Sequence, residues 1–171
     1  SARIADAVEI PLLLVGDSAA MVVYGMDTTI PISMEEMIFL VRAVCRGSNK
    51  SLVVADMPFM SYQASVEDAV RNAGRFVKEG GAEAVKLEGG RAYTAQIKAI
   101  IDAGIPVMGH IGLLPQSYHL SSGYRIQGKT KLEAEKILTD AIAVQDSGAF
   151  SVVLEGIPAN LADKITQKLD I

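Results

Sequence analysis

Short apolar runs at residues 12–17, 52–56, 84–88, 107–110 and 151–155 alternate along this chain with longer stretches of helical periodicity. Each run has the length of a strand buried on both faces. Between the runs, apolar residues recur at three- and four-residue intervals. Met37, Leu40, Val41 and Val44 do so over 34–45, and Ala69, Ala73, Phe76 and Val77 over 66–78. Ile97, Ile100 and Ile101 continue the pattern over 94–103, Ile137, Ala141 and Val144 over 132–145, and Ile165 and Leu169 over 161–169. Such alternation implies a parallel sheet covered by helices. The punctuation agrees. Ser33 and Glu36 have the spacing of a capping box, and Ser65 precedes Glu67 and Asp68, acids suited to a first helical turn. Gly80-Gly81, Gly104 and Gly148 follow three of the helical stretches, where a left-handed residue closes a helix. The chain also opens on a helical pattern directly after Ser1.

Composition removes several classes of function. Half of the 171 residues are hydrophobic and 21% are charged, which is enough apolar material for a packed core and excludes disorder. Cys45 is the single cysteine, so there is no disulfide framework; it falls on the apolar stripe of 34–45 and reads as core. The longest apolar run, 10–15, is far below the roughly 18 residues of a membrane span. A net charge of −4 argues against a nucleic-acid surface. No signal-peptide pattern or linker is present, so residues 1–171 read as one domain of an intracellular, cytoplasmic protein.

All five runs end on an ionisable residue: Asp17, Asp56, Glu88, His110 and Glu155. Two architectures accommodate five parallel strands, an open doubly wound sheet and a closed (β/α)8 barrel. Length favours the open sheet, since a barrel typically takes about 250 residues. The five ionisable ends favour the barrel, because its strands converge on one mouth whereas an open sheet spreads them along a line. An acid after a strand is often only the cap of the next helix. That reading fits poorly at Asp56, followed by Met57-Pro58, and at Glu88 and Glu155, followed by Gly89-Gly90 and Gly156-Ile157-Pro158. Clustered carboxylates repel unless a cation joins them. Mg²⁺ takes oxygen ligands and few carboxylates, and Asp17 and Asp56 are the natural ones. Zinc has too few soft ligands, with His110 and His119 standing nine apart. Lys86 shares a strand face with Glu88, either as an ion-pair partner of a neighbouring acid or as a clamp for an anionic substrate. Met57, Met60 and Met108 line either a pocket or the core. Gly89-Gly90 and Gly123 are loop glycines, with no phosphate cradle and no Gly-x-Ser-x-Gly elbow. His119 receives no assignment.

Longer strings carry a specific likeness. Val15-Gly-Asp-Ser18, Asp27-Thr-Thr29, Val54-Ala-Asp-Met-Pro-Phe-Met-Ser-Tyr-Gln63, Glu83-Ala-Val-Lys-Leu-Glu-Gly-Gly90, Ile105-Pro-Val-Met-Gly-His-Ile-Gly-Leu113, Pro115-Gln-Ser117 and Val153-Leu-Glu155 resemble, in order, the ketopantoate hydroxymethyltransferase family. The resemblance implies a (β/α)8 barrel related to phosphoenolpyruvate mutase and isocitrate lyase. The implied reaction is transfer of a hydroxymethyl group from 5,10-methylenetetrahydrofolate to 3-methyl-2-oxobutanoate, giving 2-dehydropantoate, the first step of pantothenate biosynthesis. It implies Mg²⁺ and a homo-oligomer, commonly a decamer. Asp17 and Asp56 match metal ligands that also meet the substrate, and Glu88 matches an acid that holds the metal through water. Ser18 and Lys86 match groups on the substrate carboxylate, His110 a pocket histidine, and Glu155 the general base. One departure is local: Ala19-Ala20 stands where the family has Leu-Gly. By this likeness residues 1–171 would supply strands two to six, the first strand preceding Ser1 and the last two following Ile171. A different Mg²⁺-dependent lyase or mutase of the same barrel group, acting on a 2-oxo acid, is the alternative.

Overall fold

Each apolar run becomes a strand, and the strands stand side by side in chain order, β1-β2-β3-β4-β5, every neighbouring pair parallel. A doubly wound sheet reverses its strand order at a switch point; this sheet never does. The computed structural model describes residues 2–117 and 125–171. His119 and Gly123 lie outside the described residues.

The chain begins with α1 (Ala2–Ala7), then β1 (Leu12–Val15), a short α2 (Ala19–Val22) and α3 (Met34–Cys45). β2 (Leu52–Asp56) leads to α4 (Val66–Arg75), and β3 (Ala84–Glu88) to α5 (Thr94–Asp102). β4 (Val107–Gly112) precedes α6 (Lys131–Asp146), and β5 (Ser151–Glu155) precedes α7 (Ala159–Thr166). The capping box at Ser33 and Glu36 is formed. A second one, Thr130 with Glu133, opens α6. After α4 the helix widens into a π turn over Phe76–Gly80, which Gly81 closes with φ 82°. Only glycine adopts that conformation without a steric cost.

The alternation of side chains gives the sheet two unlike faces. On one face, Val15, Val53, Ala55, Val85, Leu87, Val107 and Ile111 pack against Met37, Val41, Ala69, Phe76, Ile97, Ile100 and Val144 of the helices. On the other, Val54, Ala84 and Met108, with Leu12, Leu52 and Val153, form a cluster made of strand residues alone. A doubly wound sheet carries helices on both faces. Helices on the outside and a strand-lined interior belong to a (β/α)8-type barrel wall.

Two contacts fix this wall. Gly109 of β4 lets α6 approach, because a Cβ there would stand 2.4 Å from Val144 Cγ1. At the N-terminal end of the strands, Asp6 Oδ1 accepts the backbone N–H groups of Asn49, Lys50 and Ser51 at 2.8–3.1 Å and the Ser48 hydroxyl at 2.9 Å. These bonds hold the Asp6 carboxyl well below the usual carboxylate range, against the opposing effect of its burial.

Candidate active site

The interior face carries its polar residues above the apolar cluster, at the C-terminal end of the strands. Register places them as neighbours: Asp56 opposite Lys86, Glu88 opposite His110, and Glu155 opposite Gly112. Asp17 lies two residues past the end of β1, and its N–H donates to Asp56 Oδ2 at 3.1 Å. Lys86 Nζ donates to the same oxygen at 2.8 Å, with side-chain exposures of 5% and 2% for Lys86 and Asp56. His110 sits inside β4 rather than at its end. Its Nε2 lies 3.2 Å from Glu155 Oε2 and its Nδ1 3.6 Å from Glu88 Oε1, and neither contact completes a hydrogen bond. The five predicted ionisable residues and Lys86 therefore meet on one face.

The ion pair of Lys86 with Asp56 is present, so the lysine has an acid partner. Ser18 is less engaged: exposed beside Asp17, its hydroxyl makes no capping bond to α2. Of the three methionines, Met57 is buried in the outer core, Met108 lines the interior cluster and Met60 is exposed.

Charge is unbalanced here. Asp17, Asp56, Glu88 and Glu155 face Lys86 as the one cation among the described residues of the cluster, since burial lowers the pKa of His110 and favours the neutral ring. Burial, reinforced by the Asp56 charge, pushes Asp17 up to about 6. Burial pushes Glu88 up to about 8; Lys86 works against this, and Asp56 and Asp17 add to it. Glu155 behaves oppositely. The imidazole of His110 beside it holds its carboxyl below the usual range, and its side chain is 42% exposed. Acids pushed apart in this way can take different roles.

The same residues fit a hard divalent cation. Asp56 Oδ1 and Glu88 Oε1 are buried and accept no hydrogen bond, and a buried carboxylate oxygen without a partner is costly. Among the described residues, no group of three or more His, Cys, Asp or Glu side chains is placed to hold a metal ion by itself. Mg²⁺ uses one or two carboxylates and keeps several waters, so the two unpartnered oxygens are donors of the kind it takes.

Gln116 was not anticipated as a site residue. It is buried in a 3-10 turn over Pro115–Ser117, after β4. Its Nε2 donates to Asp17 Oδ2 at 3.0 Å and to Met57 O at 2.9 Å, and its backbone N–H donates to Glu88 Oε2 at 3.1 Å. Tyr62, equally buried, accepts the Glu88 N–H at 3.1 Å and donates to Gln116 Oε1 at 2.9 Å. The available sequence signal was Pro115-Gln-Ser117 itself; spacing alone cannot pair it with Asp17, 99 residues earlier.

Comparison with known proteins gives the family. The model of a family described as ketopantoate hydroxymethyltransferase matches residues 1–171. The chain is 58% identical over 171 residues to the 3-methyl-2-oxobutanoate hydroxymethyltransferase of Carboxydothermus hydrogenoformans, covering 100% of this chain and 62% of that protein. It is 57% identical over 171 residues to the enzyme of the same name from Saccharopolyspora erythraea, covering 100% of this chain and 58% of that one. The chain spans about three fifths of the length of these curated relatives. Among solved structures, phosphonopyruvate hydrolase in complex with oxalate and Mg²⁺ superposes with a TM-score of 0.71, covering 99% of this chain and 60% of that chain. At 11% identity this is a likeness of fold alone.

Proposed function

The chain belongs to the ketopantoate hydroxymethyltransferase family, and from that premise we propose that it carries the site at which a hydroxymethyl group passes from 5,10-methylenetetrahydrofolate to 3-methyl-2-oxobutanoate, giving 2-dehydropantoate in the first step of pantothenate biosynthesis. The observation that carries the reading is the set of buried, unpaired oxygens on Asp56 and Glu88 beside a half-buried, ionised Glu155. A homo-oligomer and a cytoplasmic setting are part of the same proposal.

Asp17 and Asp56 would hold Mg²⁺, with Glu88 reaching it through water. When bound, the cation supplies a Lewis acid that meets the negative charge developing on the keto oxygen of the substrate. The remaining work falls to side chains. Lys86, anchored on Asp56 Oδ2 at 2.8 Å, presents a fixed positive charge to the substrate carboxylate. Ser18 offers a hydroxyl without a capping bond to the same group. Together they orient the branched carbon next to the carbonyl. Glu155 Oε2 removes the proton from that carbon. The imidazole of His110 keeps its carboxyl in the ionised form that a general base needs, with a lower proton affinity as the consequence. His110 Nε2 stands 3.2 Å from Glu155 Oε2, on the buried side of the base. The deprotonated carbon bonds to the methylene carbon of the folate derivative, a water supplies the hydroxyl oxygen, and tetrahydrofolate leaves; the protein supplies position and electrostatics.

The test is deuterium exchange at the branched carbon of 3-methyl-2-oxobutanoate, followed by NMR in D₂O with Mg²⁺ and without folate. Exchange by the unsubstituted chain is expected to need Mg²⁺. Glu155→Gln should slow it about 10²- to 10⁴-fold, the usual contribution of a general base. Equal exchange by Glu155→Gln removes Glu155 from that role.

A further inference from the structure

Gln116 is satisfied at both polar atoms of its side chain, and two acids of the site are among its partners. Its Oε1 accepts from the Tyr62 hydroxyl and from Gln63 Nε2, both at 2.9 Å. Its Nε2 donates to Asp17 Oδ2 and Met57 O. These partners fix the direction of the amide. Reversed, the carboxamide oxygen would face two acceptors, a carboxylate and a carbonyl. Its nitrogen would meet the Gln63 NH₂ donor instead. The backbone N–H of the same residue holds Glu88 Oε2 at 3.1 Å, while Glu88 Oε1 stays unpaired.

One residue therefore grips one oxygen of each of two acids that come from different strands. Asp17 follows β1, Glu88 ends β3, and neither hydrogen-bonds the other. Tyr62 braces the arrangement twice, through the Gln116 amide and through the Glu88 backbone.

We propose that Gln116 is a positioning residue that sets the separation and orientation of Asp17 and Glu88, with Tyr62 as its brace, and so fixes the affinity of the site for a divalent cation. The inference rests on the cation-dependent reading above. Groups that orient ligands from behind typically contribute 10- to 100-fold to metal affinity. Gln116 is buried and its hydrogen bonds all go to protein groups, so its effect passes through the two acids.

The experiment is isothermal titration of the whole chain with Mg²⁺ alone, beside thermal melts. Gln116→Met keeps the length of the side chain and removes the amide. It should weaken Mg²⁺ about 10- to 100-fold. Tyr62→Phe should weaken it by less. The double variant should lose less than the product of the two single losses, because both act through one network. Gln116→Met that melts lower but binds Mg²⁺ like the unsubstituted chain overturns the proposal and leaves the functional reading standing. Weakened Mg²⁺ binding with no substrate exchange by the unsubstituted chain supports the proposal and overturns that reading. No Mg²⁺ uptake by the unsubstituted chain overturns both. Should Gln116→Met fail to fold, Tyr62→Phe carries the test alone, and unchanged affinity in it counts against the brace and the proposal together.

Discussion

Replacing Lys86 with methionine tests whether the acids are held as an electrostatic cluster. The side chain keeps its length and loses its ammonium. In the folded protein that ammonium is 2.8 Å from Asp56 Oδ2, with the lysine side chain 5% exposed and that of Asp56 2%. An exposed pair of this kind contributes about 0–1 kcal/mol. Breaking a buried one by removing a single partner costs about 3–5 kcal/mol, because a charge is left without compensation. Against a typical total stability of about 5–15 kcal/mol, that is a large fraction. The loss should also depend on pH. Burial pulls the Lys86 pKa down, yet Asp56 and Glu88 hold it above its ordinary value, so the lysine is charged throughout pH 5–8. Asp17 and Glu88 are already raised, to about 6 and about 8, and removing Lys86 raises them further. A carboxyl raised in the folded state binds more protons folded than unfolded, so stability falls as pH rises through that window. Lys86→Met should therefore cost least near pH 5, where the acids can protonate, and most near pH 8. Urea denaturation of both metal-free proteins at the two pH values gives the difference. A cost below about 1 kcal/mol at pH 8, or one that shrinks as pH rises, would refute the reasoning.

Three other outcomes are expected. Gly109→Ala puts a Cβ 2.4 Å from Val144 Cγ1 and should destabilise by about 1–3 kcal/mol, seen as a lower urea midpoint; an unchanged midpoint would mean that α6 yields freely. Asp6→Ala should lower the melting temperature more than Glu9→Ala, whose partner is an exposed lysine. Because the Asp6 pKa is depressed in the folded state, its stabilisation holds above the unfolded carboxyl value of about 3.9 and is lost as pH falls below it, so the two variants should converge in acid. Asp17→Asn and Asp56→Asn should each weaken Mg²⁺ binding by titration calorimetry, and full affinity in both would remove them as ligands.

Much of this was legible in the sequence because the signals were local. Strand length, helical periodicity and the Ser33–Glu36 box each span a few residues, and all are present. The period-two rule likewise puts Lys86 and Glu88 on one face. Where local signals end, the reading ended too. Strand β4 runs on to Gly112, so His110 lies within it, because Ile111 and Gly112 continue the pairing with β5. Short α2 carries too few residues to show a period. Chain length favoured an open sheet, and the interior cluster of strand residues argues for a barrel wall instead. Gln116 escaped because a neutral amide gives no titration or ligand signal; its role comes from five residues distant in sequence.

The bond from Gln116 to Asp17 joins positions 99 residues apart. It cannot form until the turn after β4 and the loop after β1 have both docked on the strands between them. A ligand that needs these acids together therefore senses whether the intervening sheet is complete. Its binding free energy returns to the fold by mass action, about 2.7 kcal/mol at a hundredfold excess over Kd. Occupancy and folding become linked quantities, and substrate or cation concentration acts as a chemical thermostat on the lifetime of the folded chain.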